Sequence, residues 1–198
     1  MDKRIATKYL AFLCMTDGSL YIHKGCVNAS FHIRMKKENF DYIEKYAIPC
    51  LEYLNIGYSI RETKCGKYKG VDSRVHPFLT KLRERIYVEG KQSPSAHDIK
   101  QLDWEAMAIM FMADGSVQVS GPRLYPMLNF CSYSYPELCW LKVKIKERLG
   151  VDVNIYKCGK YFRYGVPAKS CDKFFDGVRP YLVNSFLYKH PDGRPQIG

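Results

Sequence analysis

No apolar run in this sequence approaches the roughly 18 residues that a membrane span requires. Residues 10–15 are apolar, but the run stops at Thr16-Asp17-Gly18. The N-terminal stretch lacks a small-residue cleavage site after an apolar segment, so no secretory signal is expected. None of the eight cysteines (Cys14, Cys26, Cys50, Cys65, Cys131, Cys139, Cys158, Cys171) stands in a Cys-x-x-Cys pair, which argues against a zinc ribbon or a redox pair. Their even number permits disulfides, yet Cys14 and Cys131 sit inside apolar patterns. A reduced intracellular chain with mostly buried thiols is the better expectation. Acidic residues are scarce: 20 Asp and Glu against 31 Lys and Arg give a net charge of +11. Such an excess concentrates polyanions near the surface and speeds their association, with nucleic acid the first candidate and an anionic membrane surface the second. Hydrophobic residues make up 46% and charged residues 26%, which excludes disorder along the whole chain. A length of 198 residues corresponds to one or two domains.

The chain repeats itself. Residues 10–19 align with 107–116 at an offset of 97, sharing Ala, Met, Asp, Gly and Ser. Lys64-Cys65-Gly66-Lys67-Tyr68 returns as Lys157-Cys158-Gly159-Lys160-Tyr161 at an offset of 93, and Lys91 aligns with Lys189 at 98. Three matches in order at nearly one offset predict two equivalent halves, 1–88 and 103–190, with a linker at 89–102 and a tail at 191–198.

Residues 6–17 and 103–114 are apolar nearly all round and predict two buried helices, interrupted by Gly18 and Gly115, with Asp103 as N-cap of the second. Residues 28–36 alternate, with Ala29, Phe31, Ile33 and Met35 on one face and Asn28, Ser30, His32, Arg34 and Lys36 on the other. That period of two describes a half-exposed strand with a basic outer face. Helical spacing of Phe40, Ile43, Ala47, Leu51 and Leu54 predicts a helix that Pro49 kinks or splits. Strands at 58–64 and 68–76 join through Cys65-Gly66-Lys67, and Phe78, Leu79, Leu82 and Ile86 mark a further helix. The second half repeats this order. Strands at 116–120 and 125–133 flank Gly121-Pro122, a helix ends at Gly150, alternation returns at 151–156 and 161–166, and a helix at 171–182 is trimmed by Pro180. The expected fold class is α+β, with two pseudo-symmetric α-β-β-α-β-β-α repeats.

An α-β-β-α-β-β-α unit that occurs twice, opening each time with an apolar helix ending in Asp-Gly, resembles the LAGLIDADG homing endonucleases of the single-chain, two-motif type. Leu10, Ala11, Leu13, Asp17 and Gly18 match the nine-residue motif in the first copy, and Ala108, Ala113, Asp114 and Gly115 match it in the second. The resemblance covers most of residues 5–190. Phe12 and Ile109 stand where the family usually has Gly, which leaves Ala11, Thr16, Ala108 and Ala113 as the small residues for close helix approach. The resemblance implies motif helices packed at the centre and two antiparallel sheets forming a DNA-binding saddle. It further implies a monomer that makes a double-strand break in a long, partly palindromic DNA site.

Within that resemblance, Asp17 and Asp114 are the catalytic and metal-binding carboxylates, with backbone oxygens of Thr16 and Ala113 beside them. Such oxygens suit Mg²⁺, which keeps several waters and takes substrate phosphate oxygens. Lys91 and Lys189 match the family's basic residue just after the third helix of each repeat, where a cation stabilises the scissile phosphate. Ser30, His32, Arg34, Arg61, Asn154, Tyr156 and Arg163 are the outward candidates for reading bases, joined on the same face by Asn28. Lys24, Lys36, Lys64, Lys67, Lys69, Lys157 and Lys160 are expected at phosphates, which give affinity without sequence information. Plainer alternatives stay open: an Asp-Gly that only ends a helix in a turn, a solvated lysine, an ordinary polar sheet face. Two other activities fit the scaffold, an RNA-splicing maturase with intron RNA as partner and a DNA-binding regulator without catalysis. The two motif aspartates count against the regulator. Neither the target sequence nor the host genome (phage, bacterial, archaeal or organellar) is legible in the chain.

Overall fold

The computed structural model describes residues 1–130 and 132–193, so Cys131 and tail residues 194–198 lie outside the described residues. The chain divides into two compact units, Met1–Gln92 and Ser93–Gly198. The first opens with α1 (Lys3–Cys14), capped by the Asp2 carboxylate, which accepts from the Ile5 amide at 2.8 Å. Leu10 to Cys14 are fully buried. The helix ends three residues before Asp17, short of the expected boundary. The Thr16 hydroxyl donates to the Phe12 and Leu13 carbonyls at 3.1 Å each, and the Gly18 amide closes on the Leu13 carbonyl at 2.8 Å. A hydroxyl competing for helix carbonyls favours a turn over a further helical residue. Gly18 is there for space: a Cβ would lie 2.9 Å from both the Leu13 carbonyl oxygen and the Phe31 ring.

β1 (Ser19–Tyr21), β2 (Ser30–Lys36), β3 (Tyr58–Glu62) and β4 (Tyr68–Ser73) form an antiparallel sheet in the order β1-β2-β4-β3. Phe31, Ile33 and Val71 point to its buried side. Packed there are α2 (Phe40–Tyr46) and α4 (Pro77–Ile86), while α3 (Ile48–Tyr53) lies against α1. The expected split at Pro49 is present. The helix breaks between α2 and α3, and Pro49 falls in the first turn of α3, where its missing N–H removes no helical bond.

The stretch 89–102, expected as a plain linker, carries structure. β5 (Tyr87–Val88) and β6 (Lys91–Gln92) pair as a short hairpin that closes the first unit. α5 (Ala96–Ile99) belongs to the second, with Ser95, Asp98, Ile99 and Leu102 buried around it.

α6 (Trp104–Asp114) starts where expected, with the Asp103 carboxylate accepting from the Ala106 amide at 2.9 Å. Every residue from Ala106 to Met112 is buried, so the helix is apolar on all sides, as its sequence requires. β7 (Gly115–Ser120), β8 (Arg123–Leu128), β9 (Asn154–Cys158) and β10 (Tyr161–Gly165) pair antiparallel in the order β7-β8-β10-β9. This is the strand order of the first sheet, and the two α-β-β-α-β-β-α halves are topologically equivalent. α7 (Tyr135–Leu149) ends at Gly150, whose φ of +66° is the left-handed C-terminal stop that glycine supplies. α8 (Ala168–Val178) begins three residues before its expected start and gives way to a 3-10 turn around Pro180.

The repeated Lys-Cys-Gly-Lys-Tyr segment sits at a hairpin tip in both units but takes two different turns. In the first, residues 64–67 form a loop closed by the Thr63 amide on the Tyr68 carbonyl at 2.9 Å. In the second, Cys158 pairs with Tyr161, leaving Gly159-Lys160 as a two-residue turn with Gly159 at φ +62°. The seven described cysteines are unpaired. Cys14, Cys50 and Cys171 are buried, but Cys26, Cys65 and Cys158 are exposed, which corrects the expectation of mostly buried thiols. Among the described residues, no helix is long and apolar enough to cross a membrane.

α7 is held at its N-terminus by a capping box in which Glu137 accepts from the Ser134 amide at 2.7 Å and from its hydroxyl at 2.6 Å. Ser93 also donates to Glu137, tying the chain before α5 to α7. Burial raises the Glu137 carboxyl, but the hydrogen bonds from Ser134 and Ser93 outweigh it and leave the group below its ordinary 4.5. A carboxyl depressed by folding stabilises above its unfolded pKa, and that contribution is lost as pH falls through the folded value. Ser134→Ala is expected to cost about 1 kcal/mol near neutral pH. In urea unfolding from neutral to acid pH, the gap between wild type and Glu137→Gln should stay constant above the ordinary carboxyl range and shrink below it. A gap independent of pH would mean that the cap is not ionic.

Candidate functional site

Each unit ends its apolar helix in an Asp-Gly turn. Asp17 lies in the turn after α1 and is exposed, with Thr16 buried behind it. Asp114 is the last residue of α6 and is half-buried. Its carbonyl accepts twice from Asn129, from the amide and from Nδ2, both at 3.0 Å, and the same Nδ2 reaches the Ser116 hydroxyl at 3.2 Å. Gly115 follows because nothing larger fits: a Cβ would lie 2.2 Å from the Phe111 carbonyl oxygen. Burial pushes the Tyr133 hydroxyl well above its ordinary pKa, and the charges of Asp114 and Glu137 push it further, so this neighbour stays neutral.

Among the described residues, no group of three or more His, Cys, Asp or Glu is placed to hold a metal ion. Each turn instead offers one carboxylate with neighbouring backbone carbonyls, an all-oxygen set. This fits a hard cation such as Mg²⁺, which is held by one or two carboxylates and completes its shell with water and phosphate oxygens. It does not fit a soft metal that needs thiolate or imidazole.

The two lysines expected at the phosphate behave differently from one another. Lys91 is exposed on β6. Lys189 is 6% exposed, and its ammonium donates to the carbonyls of Gly115 at 2.6 Å, Met112 at 2.7 Å and Phe111 at 3.1 Å. A lysine ammonium has three protons, and each has an acceptor in the C-terminal turn of α6. Lys189 thus sits buried against the end of α6, beside the Asp114 turn, whereas Lys91 is exposed.

The outer face of the first sheet is built in rows. Ser19, His32, Asp72 and Ser59 are paired across it, and Arg34, Gly70 and Arg61 form the next row. Asp72, which the sequence reading did not single out, organises both. It accepts from His32 Nδ1 at 2.8 Å and from Arg61 Nε at 3.2 Å. Period-two alternation along β4 would have placed it there. Ser30 has the expected outward parity but is 2% exposed, lying under His23 and His32, whose Nε2 atoms are 3.2 and 2.7 Å from its hydroxyl. It orients those rings and is not available to a large ligand. Lys69 has inward parity, and its ammonium rests over the Phe40 ring at 3.8 Å from the centroid, away from the place expected of it. The Asn28 amide oxygen accepts from the Thr80 hydroxyl at 3.1 Å, which holds it against α4. Lys24, Arg34, Lys36, Arg61, Lys64 and Lys67 are exposed.

In the second unit Asn154, Tyr156, Lys157 and Lys160 are exposed. Arg163 pairs with Tyr156 across β9 and β10 and sits half-buried in a groove also lined by Gln118, Ser120, Tyr125 and Gly165. Its Nε is buried with no hydrogen-bond partner among the described residues. A cationic donor with an unmet bond, set among hydroxyls and an amide, is suited to an acceptor from outside.

Residues 8–174 match the LAGLIDADG DNA endonuclease family. Comparison with curated proteins gives no significant match. Among solved structures, the chain is similar to the homing endonuclease I-WcaI bound to its DNA recognition sequence, with 16% identity, 96% of this chain and 86% of that one covered, and a TM-score of 0.76. It is similar to I-DmoI in complex with DNA and Mn, with 16% identity, 92% and 100% covered, and a TM-score of 0.61. The N-terminal LAGLIDADG domain of DUF199/WhiA has the same fold, with 11% identity, 90% and 84% covered, and a TM-score of 0.57.

Proposed function

The chain belongs to the LAGLIDADG DNA endonuclease family, and we propose that it is a site-specific homing endonuclease. In this reading it makes a double-strand break in a long, partly palindromic DNA target by metal-dependent phosphodiester hydrolysis. The observation that carries the reading is the duplication of one device: an apolar helix that ends in Asp-Gly and leads into a four-stranded sheet of the same order, once in each unit. A binding protein needs the sheets but has no use for two carboxylates repeated at equivalent positions. One aspartate per unit matches one cut per strand.

Asp17 and Asp114, each with carbonyl oxygens of its own turn, are the residues that would hold Mg²⁺. The chemistry such an ion would supply, when bound, is activation of a water and stabilisation of the departing oxygen. The chain's own residues bind and orient. Exposed lysines such as Lys64 and Lys67 meet phosphates, and the rows containing Arg34 and Arg61 face the major groove, which admits a β-ribbon. Asp72 anchors Arg61 by its Nε edge. The remaining amines of a guanidinium are the ones that pair with a guanine edge.

The test begins with duplexes selected for binding from a random DNA library. Incubated with Mg²⁺, these should be cut on both strands, and with a chelator they should be bound but intact. Binding without cutting in either Mg²⁺ or Mn²⁺ would favour a regulator. Stimulated splicing of an intron transcript without DNA cleavage would favour a maturase.

A further inference from the structure

The alternation of β2 marks His32 as a base reader, yet both polar atoms of its ring are engaged inside the first unit. Nδ1 lies 2.8 Å from Asp72 Oδ1, and Nε2 lies 2.7 Å from the Ser30 hydroxyl. An imidazole has no third polar atom to offer. Ser30 is fixed in turn, 3.2 Å from His23 Nε2 and 3.3 Å from the Tyr21 carbonyl oxygen, with the His23 ring set edge-on to that of His32 at 5.7 Å. Ser30, His32 and Asp72 have the connectivity of a hydrolytic triad, but Ser30 is buried under the two rings and cannot meet a substrate. What this chain of contacts delivers lies at its other end. Asp72 Oδ2 is 3.2 Å from Arg61 Nε, and the Ser59 hydroxyl accepts from the same Nε at 3.4 Å.

Exposure rises along the chain of contacts, from a buried Ser30 to 19% for the Asp72 side chain and 68% for that of Arg61. An exposed ion pair does not by itself hold a long side chain in one place. Here the carboxylate is itself held, because His32 ties Oδ1 to a buried hydroxyl. An arginine gripped at Nε keeps both Nη amines for a ligand, and two such donors match the O6 and N7 acceptors of guanine. Ordering the side chain before DNA arrives removes its entropic cost from the binding step. We infer that Asp72 is a specificity-determining positioning residue: held by His32 and Ser30, it fixes Arg61 for a guanine in the target, and His32 reads no base of its own. The inference rests on the proposed recognition of a specific DNA site.

The experiment compares base preference at each position of the selected duplex for wild type, Arg61→Ala, Asp72→Ala and His32→Phe. Arg61→Ala locates the base pair, which should be G·C, and its preference should fall by about tenfold or more. Asp72→Ala should relax that same position by about fivefold, the loss expected for one positioning bond, and His32→Phe should relax it by a similar factor. Neither should alter the position that Arg34→Ala identifies. In Asp72→Ala, affinity for unrelated DNA should hold or rise, because a negative charge has left a basic face. A changed preference in His32→Phe at a position other than that of Arg61 would overturn the inference, because His32 would then read a base directly. So would an Arg61 position that is not G·C, or a fall in Asp72→Ala that is equal for all sequences. If Asp72→Ala does not fold, Ser30→Ala is decisive: relaxed preference at the Arg61 position supports the inference, and an unchanged profile rejects it. A wild type that selects no sequence removes the site-specific reading and this inference together, whereas a sharp wild-type profile that Asp72→Ala leaves intact removes this inference alone.

Discussion

Asp17→Asn and Asp114→Asn are each expected to abolish double-strand cleavage in Mg²⁺, with rates lower by on the order of 10³-fold or more. The protein should stay folded and still bind its target. Asn keeps the shape and hydrogen-bonding reach of Asp but removes the anionic charge that a hard cation requires. The backbone of each turn has holders besides that carboxylate. The turn after α1 is closed by Thr16 and the Gly18 amide, and the turn after α6 is held by Asn129 and Lys189. Single variants should leave nicks in one strand where the two turns act independently, and the double variant should leave none. Cleavage and binding of the same duplex by each variant decide the matter. If both single variants cut both strands at near wild-type rate, Asp-Gly in this chain is only a turn.

The periodicities that announce the fold are strong where burial imposes them. α6 is apolar all round because it is buried all round, and Asp103 caps it as its residue type suggests. β2 alternates because one face is core. The misplaced boundaries have local causes. α1 stops early because Thr16 diverts carbonyls, an effect invisible to hydrophobic patterning. β1, at three residues, is too short for alternation to register. The stretch 89–102 reads as linker from its Gly, Ser and Pro, yet those residues serve a hairpin and a short buried helix.

The candidate site was less legible than the fold, for two reasons. Matching by charge pairs Lys189 with Lys91, but Lys91 is exposed and Lys189 is buried against the end of α6. Polarity and parity are also not the same as exposure. Ser30 has the right parity but lies under two histidines, and Lys69 is charged but rests on Phe40. Asp72 is an acidic residue on an otherwise basic face, and charge alone does not mark it as part of the site. Its function there is to order His32 and Arg61.

That ordered, basic face leads to the second large effect, the response of DNA affinity to salt. Arg34, Lys36, Arg61, Lys64 and Lys67 are exposed in the first unit, as are Lys157 and Lys160 in the second. Cations at phosphates release condensed counterions, so affinity falls as a power of salt concentration. With about six to ten phosphates contacted, the dissociation constant should rise by about 10³ to 10⁵-fold between roughly 50 and 200 mM salt. Individual variants separate two kinds of contact. Lys67→Ala, at a hairpin tip, should weaken all sequences alike and reduce the logarithmic salt slope by about one. Arg34→Ala, in a sheet row, should cost about 1–3 kcal/mol on the selected target, relax preference at its own base position and weaken unrelated DNA less. Lys69→Ala should do neither, because its ammonium lies on Phe40. Titrations of selected and unrelated duplexes across that salt range measure all of these together. A nearly flat slope would sink the basic face as the DNA-binding surface, and a full effect from Lys69→Ala would show that this lysine leaves the ring to meet the duplex.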